Sequence, residues 1–320
     1  MKRVIGNWQE PEHHGMTRRD MLRLAAAAAA GGLLGPAGLA LAADKPVLRR
    51  PIPSSGEMLP VIGVGTAVVY DIETSDAKFP ALVSSIKAFL ENGGSLIDTA
   101  PTYGNAEQSL GEIFRRTGLR KKAFLATKIS TNGEQAGIDQ VQNAMRVMDT
   151  DRFDLLQVHN IRDTETHLRT IRRLKDEGKV RYVGITTSFD RQYEQFEQVM
   201  RRERLDFIQV DYALDNRNVE ERILPLARDH GMAVLVNLPF GRGRLFRKAH
   251  GKPLPPFAAE IDCTSWAQFF LKFLLANPAV NTVIPGTDKP EYALDNLNAA
   301  RGRIPDAKMR EQMIKFWETL

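Results

Sequence analysis

From residue 78 onward the chain alternates two hydrophobic patterns. Short runs rich in Val, Ile and Leu predict strands at 95–100, 123–129, 153–160, 180–186, 207–212, 233–240 and 281–286. Between them, apolar residues at helical spacing predict helices at 78–92, 105–117, 134–149, 164–177, 190–202, 218–229, 265–277 and 290–300, with a last amphipathic helix at 306–319. Gly93-Gly94, Gly178 and His230-Gly231 stand where helices should stop. Upstream, residues 47–66 read as two short strands around the turn signal Ser55-Gly56, the second ending in Gly63-Val64-Gly65-Thr66. A polar insert carrying Gly241, Gly243, Gly251, Pro253, Pro255 and Pro256 interrupts the alternation after the seventh strand.

With Gly63–Thr66 counted as the first, eight strands alternate with helices in about 250 residues. Apolar runs of this kind predict parallel strands covered by helices. The count and size predict an α/β fold, a (β/α)8 TIM barrel over residues 43–320. An open doubly wound sheet is the alternative, and the spacing of polar residues at strand ends favours the barrel. Gly63-Val64-Gly65 lacks the helix-opening third glycine of a Rossmann fingerprint.

The first 42 residues do not belong to this alternation. Thr17-Arg18-Arg19-Asp20-Met21-Leu22 precedes a run of Ala, Gly and Leu that ends in Ala40-Leu41-Ala42. This is the layout of a secretory signal with cleavage near Ala42/Ala43. The paired arginines resemble the twin-arginine (Tat) export signal, with Met21 where Phe is more usual. The expectation is a periplasmic or otherwise exported protein, handled by the Tat machinery and left with no stable membrane anchor after cleavage. The polar residues before Met16, His13 and His14 among them, either extend the leader or precede the true start. Five cations against three acids in the leader leave the remainder near +3 of the total +5, too little to argue for nucleic acid. The single cysteine, Cys263, excludes an intrachain disulfide and has no companion ligands for a metal.

Polar residues recur where the predicted strands end. Asp98 ends the second, Lys128 the third and His159 the fourth, about 30 residues apart, and Tyr103 follows Asp98 on its loop. In a parallel barrel these ends share one rim. Each residue has a plain structural use: a turn cap, a snorkelling cation, a packed imidazole, a loop anchor. Together they make a different device. An ammonium beside a phenol favours the phenolate and lowers its pKa from about 10. A carboxylate keeps that ammonium charged and placed, and an imidazole can orient a carbonyl oxygen. Such a cluster offers a proton to an oxygen becoming an alkoxide. The carbonyl carbon must then gain a hydride, so a hydride-carrying cofactor is implied.

Residues 48–300 resemble the aldo-keto reductases, through Gly63–Thr66, Asp98–Glu107, Ala126–Lys128, Leu155–Asn160, Gly178–Thr186, Ile208–Tyr212 and Val283–Asn296. The resemblance implies a barrel whose N-terminal β-hairpin closes the bottom, and NADPH-dependent reduction of an aldehyde or ketone, or the reverse. It implies Tyr103 as general acid, Asp98 and Lys128 as the pair that tunes it, and His159 as the residue that orients the carbonyl. It also implies cofactor contacts from Gly65, Thr66, Asp98, Thr186, Thr187 and Gln209, with Tyr212 under the nicotinamide ring. Pro239, Gly241, Arg242 and Gly243 match the pyrophosphate region, and Thr287, Lys289 and Asn296 the adenosine region.

Thr186-Thr187 stand where the family usually shows Ser-Asn. Gly286 and Tyr292 stand where many members place cations against the 2′-phosphate, which leaves NADH as an alternative to NADPH. Two other functions stay open at this point. One is an exported nicotinamide-nucleotide-binding or sensor barrel with little turnover. The other is a lyase or aldolase using Lys128 as a Schiff base. Val68, Val69, Tyr70, Phe240, Phe246, Phe257 and Trp266 are the apolar candidates to line a substrate pocket.

Overall fold

The computed structural model describes residues 45–320. The predicted leader and its cleavage site lie outside the described residues. Eight parallel strands run in chain order around a barrel: β3 (Val64–Gly65), β4 (Leu96–Asp98), β5 (Phe124–Ile129), β6 (Phe153–Val158), β7 (Val180–Thr186), β8 (Phe207–Asp211), β9 (Ala233–Asn237) and β10 (Thr282–Val283). Parallel bridges Ile62–Val283 and Gly65–Gly286 join the last strand back to the first. The glycines of the first segment serve this closure. A Cβ on Gly63 would meet the Leu96 carbonyl at 2.9 Å, and one on Gly65 the Ile284 carbonyl at 2.9 Å.

Parallel neighbours require crossovers, and helices supply them. These are α1 (Phe79–Glu91), α2 (Ala106–Thr117), α3 (Glu134–Val147), α4 (Thr164–Asp176), α5 (Tyr193–Arg202) and α6 (Ile223–Asp229). After β9 come α7 (Arg244–Ala249) and α8 (Trp266–Leu275), and after β10 come α9 (Pro290–Asn298) and α10 (Ala307–Thr319). Local sequence explains the boundaries. In α2, Glu107 sits in the first turn and Arg115 and Arg116 in the last, matching the helix dipole, and Gly118 ends it at φ 68°. Ser265 caps α8 by accepting from the Gln268 amide, and Asp306 caps α10 by accepting from Met309. Every residue of β5 and β6 is buried, as a strand packed on both faces requires.

The hairpin is β1 (Arg49–Pro51) against β2 (Met58–Pro60). It sends Ile52 and Leu59 into a core layer with Leu96, Phe124, Leu155, Tyr182, Phe207 and Leu235, residues from the lower part of the barrel strands. Glu57 accepts from Arg181 and from the Tyr182 hydroxyl, fastening the hairpin to β7. The hairpin therefore closes the bottom, as the resemblance implied.

Several elements are shorter than the sequence pattern predicts. The expected strand 281–286 is only Thr282–Val283, and the helix expected from 218 starts at Ile223, after a 3-10 turn at Asn218–Glu220. Pro225 has no amide hydrogen and fits only an opening turn, which places the helix start there. The insert read as plain polar chain contains α7 and a 3-10 turn at Pro256–Ile261. Its apolar residues hold it down: Phe246 lies 4.7 Å from Phe240 and 5.6 Å from Phe270, ring centre to ring centre. No helix of the described residues is long and apolar enough to cross a membrane.

Leu59 is 2% exposed and belongs to the bottom layer alone. Leu59→Ala should lower unfolding free energy by about 2–5 kcal/mol, read from the denaturant midpoint at unchanged slope. An effect under about 0.5 kcal/mol would show that the hairpin is not part of the cooperative core.

Candidate active site

Strand register sets the floor of the site. Gly65 pairs with Asp98, Lys128 with Gln157, and Thr186 with Gln209. Alternation along each strand then decides which side chains look inward. Lys128 looks into the barrel while Thr127 looks out toward α2. Lys128 Nζ is 2.6 Å from Asp98 Oδ2 and donates to the Thr99 carbonyl at 2.8 Å. Asp98 Oδ1 accepts from Gln157 Nε2 at 3.3 Å. Both carboxylate oxygens are therefore engaged, and both residues are 2% exposed.

Tyr103 lies above this pair. Lys128 Nζ is 5.1 Å from the centre of its ring. The loop that carries it is tied down on its far side: the Asn105 amide donates to Asp71 Oδ1 at 2.8 Å, and Asn105 Nδ2 to Glu73 Oε1 at 3.1 Å. Gly104 is required there, because its φ is +57° and a Cβ would fall 1.9 Å from Asp71 Oδ1. The His159 ring meets Tyr103 edge-on, with centres 5.9 Å apart and planes at 85°. Its Nδ1 is in contact with Ser130 Oγ and lies 3.4 Å from Thr102 Oγ1.

Burial is the largest influence on each of these groups, and it acts with different outcomes. It pushes the Tyr103 phenol above its ordinary value, and the Lys128 charge only partly offsets this. The lowering expected from the sequence is thus present but outweighed. Burial also opposes the Lys128 ammonium, but Asp98 and Tyr103 together hold it above the usual lysine value. His159 is pulled down to about 3 by burial, with Lys128 and Arg162 adding repulsion. Behind the cluster, the Glu107 carboxyl is 3% exposed and accepts from Thr127 Oγ1 at 2.7 Å. Burial raises it to about 7. At neutral pH the rim therefore presents a protonated phenol, a charged lysine and a neutral imidazole.

Over the cluster lies a cleft of about 720 Å3. Of the residues predicted from sequence, Gly65, Thr66, Asp98, Tyr103, His159, Thr186, Gln209, Pro239, Arg242 and Gly243 line it. Lys128 lies beneath, reached through Asp98. Tyr212, Thr187, Gly241, Thr287, Lys289 and Asn296 do not line it. Alternation gives the reason for two of them. Gln209 faces inward, so Tyr212, three residues on, faces the helix layer. It is fully buried there, with its hydroxyl donating to Glu220 Oε1 at 2.6 Å and accepting from Arg310 at 2.6 Å. Tyr212 is therefore not a surface on which a ring in this cleft can stack. Thr187 likewise follows inward-facing Thr186, and its hydroxyl donates to Gln192 at 2.6 Å. Lys289 and Asn296 belong to the start and body of α9. Val68, Val69 and Phe240 reach the cleft, while Tyr70, Phe246, Phe257 and Trp266 do not.

The structure adds residues that sequence reasoning did not single out for the site: Thr102, Asn160, Ser188, Phe189 and Leu238 in the cleft, and Ser130 behind His159. Four cleft residues hold a left-handed backbone without being glycine: Val68 at φ 69°, Asn160 at 50°, Leu238 at 50° and Arg242 at 54°. Such strain gathers at functional sites and carries no composition signal outside glycine. Among the described residues no group of His, Cys, Asp and Glu is placed to hold a metal ion.

Residues 61–313 match the model of the aldo/keto reductase family. The aldo-keto reductase YhdN of Bacillus subtilis is 30% identical over 202 residues, covering 58% of this chain and 60% of that protein. The methylglyoxal reductase YeaE of Escherichia coli is 29% identical over 244 residues, covering 73% of this chain and 84% of that protein. Among solved structures, an aldo-keto reductase from Klebsiella pneumoniae in complex with NADPH superposes with a TM-score of 0.70 at 22% identity, covering 84% of this chain and 95% of that one.

Lys128→Met removes the cation and leaves Asp98 as a lone buried charge. The unfolding free energy should fall by about 3–5 kcal/mol in urea titration at neutral pH. If Lys128→Met leaves stability unchanged, the pair is not buried as described.

Proposed function

The chain belongs to the aldo/keto reductase family, and on that premise we propose that it is an NADP(H)-dependent oxidoreductase reducing an aldehyde or ketone to an alcohol, with Tyr103 as general acid. The observation that carries this reading is the Lys128 ammonium, held by Asp98 and Thr99 under the Tyr103 ring. A proton leaving the phenol produces an anion beside a fixed, desolvated cation, so the charge that develops is met in place. The same contacts argue against a Schiff-base enzyme. Both partners of Nζ favour the charged form, and a charged amine has no lone pair to attack with.

His159 stays neutral and is placed edge-on to Tyr103, suited to hold a carbonyl oxygen near the phenol. The cleft also fits a nicotinamide nucleotide. Three polar atoms on its walls are buried without a protein partner: Thr66 Oγ1, Gln209 Nε2 and Asn237 Oδ1. Leaving such atoms unpaired costs about 1–3 kcal/mol each, which a bound polar group would offset. Gln209 and Thr186 would hold a carboxamide, and Arg242 with Gly243 would face phosphate. When bound, the nicotinamide supplies the hydride that the carbonyl carbon requires. NADPH as that nucleotide is supported by the Klebsiella neighbour, an NADPH complex.

Export through the twin-arginine route completes the proposal, supported by Arg18-Arg19 ahead of the apolar run to Ala42. With both arginines changed to lysine, the full chain should stay in the cytoplasm of a bacterial host instead of reaching the periplasm. Equal periplasmic yield from both forms would rule the route out.

The catalytic reading is tested with NADPH, NADH and a panel of aldehydes and dicarbonyls. Tyr103→Phe should lower kcat roughly 10²–10⁴-fold while nucleotide binding, followed by fluorescence, is retained. Because the Tyr103 pKa is raised, its acid form persists through neutrality and reduction is lost only as pH climbs above about 10. A smaller inflection near 7 belongs to Glu107 and should vanish in Glu107→Gln. No turnover on any carbonyl, with the nucleotide retained, would instead support a binding or sensor barrel.

A further inference from the structure

The chemistry proposed for His159 depends on which of its nitrogens carries the proton. The surroundings of the ring decide this. Nδ1 is in contact with Ser130 Oγ and lies 3.4 Å from Thr102 Oγ1. Nε2 has no hydrogen-bond partner among the described residues, and the ring lines the cleft.

A hydroxyl has one proton to donate and two lone pairs to accept with. Ser130 is 8% exposed, and among the described residues its Oγ has no partner other than His159. If Nδ1 carried the proton, it would donate to Ser130 Oγ, and the buried Ser130 proton would have no acceptor. If Nδ1 is bare, Ser130 donates to it and nothing is left unpaired. Unpaired buried donors are rare because each costs about 1–3 kcal/mol. Thr102 is exposed and can turn its own proton to solvent, so it imposes neither arrangement.

Ser130 is also held in place. Its amide donates to Gln140 Oε1 on α3 at 2.9 Å, and its carbonyl accepts from Arg162 at 3.2 Å. The position is thus fixed from α3 on one side and from the loop after β6 on the other. Burial, with Lys128 and Arg162 adding repulsion, disfavours a second proton on the ring, which keeps the choice between two neutral tautomers.

We propose that Ser130 is a positioning residue: its hydroxyl donates to Nδ1 of His159 and fixes the tautomer in which Nε2 carries its hydrogen toward the substrate carbonyl. That hydrogen bond holds the carbonyl oxygen while Tyr103 delivers the proton. The effect on turnover rests on the carbonyl-reduction reading; the tautomer itself does not.

The test labels the histidines of the full chain with 15N and assigns His159 by its loss in His159→Gln. Long-range proton–nitrogen correlation at neutral pH should show the Nε2–H form in the native chain. Ser130→Ala should give a mixture or the Nδ1–H form, with kcat for an aldehyde and NADPH lowered roughly tenfold or more and nucleotide affinity unchanged. Ser130→Thr, which keeps the hydroxyl, should restore both. Thermal unfolding of each variant shows whether the fold is kept. An Nδ1–H form in the native chain overturns the proposal. So does a Ser130→Ala chain that keeps a single Nε2–H form, or one whose tautomer changes while kcat does not. If no variant turns over any carbonyl, the enzymatic reading fails, and the nitrogen spectra still decide the tautomer.

Discussion

The contact on which the site depends is the buried ion pair between Lys128 and Asp98. Two charges at 2% exposure carry a desolvation penalty that their mutual attraction alone seldom repays. Here further hydrogen bonds support the pair, from Lys128 to the Thr99 carbonyl on one side and from Gln157 to Asp98 on the other. A well-packed apolar pair could serve the barrel as well, so stability does not explain this one. What the pair provides is a cation of fixed position in a medium too dry to screen it. The rest of the fold supplies that medium. Eight strands exclude water laterally, and the hairpin residues Ile52 and Leu59 exclude it from below.

One physical cause, burial, acts on all three functional groups, and two of them follow it. It favours the neutral form of Tyr103 and of His159, and both follow it. It also works against the charge on Lys128, and only there is a carboxylate close enough to reverse the outcome. The roles proposed for these groups agree with those states. Under the proposed function, the phenol would be the group with a proton to give, the ammonium the group that stabilises what remains, and the imidazole the neutral donor.

The barrel was legible because strand and helix leave different periods, and because Asp98, Lys128 and His159 recur about 30 residues apart. The residues that the cleft leaves out have one main cause. Sequence shows that Tyr212 and Thr187 stand at strand ends, but not which face of the strand each occupies. That parity is fixed by the inward-facing Gln209 and Thr186, and it turns both neighbours out toward the helices. Ser130 escaped notice for a different reason. It lies on a loop, 29 residues from His159, and a lone serine after a strand has no pattern to mark it. Phe246, Phe257 and Trp266 looked like pocket residues because they are aromatic and follow the seventh strand. They proved to be the packing that seats the insert on α8 and α10.

That seating bears on the cleft itself. Phe240 lines the cleft and also touches Phe246, which in turn packs on Phe270 of α8. Leu238 and Arg242, on either side of Phe240, hold left-handed backbone that neither side chain favours, at about 1–2 kcal/mol each. The strain persists only if the surrounding contacts over-determine the loop; the aromatic stack is one such contact, beside the hydrogen bonds from the Gly241 amide to the Leu238 carbonyl and from the Gly243 amide to the Phe240 carbonyl. The far wall of the cleft is therefore shaped from outside the barrel, by helices that never touch the cluster. The floor, in contrast, is shaped from inside by strand register. The Asp98–Lys128 pair belongs to that floor and Phe240 to the wall, so the packing of the insert on α8 is built from contacts separate from those of the pair.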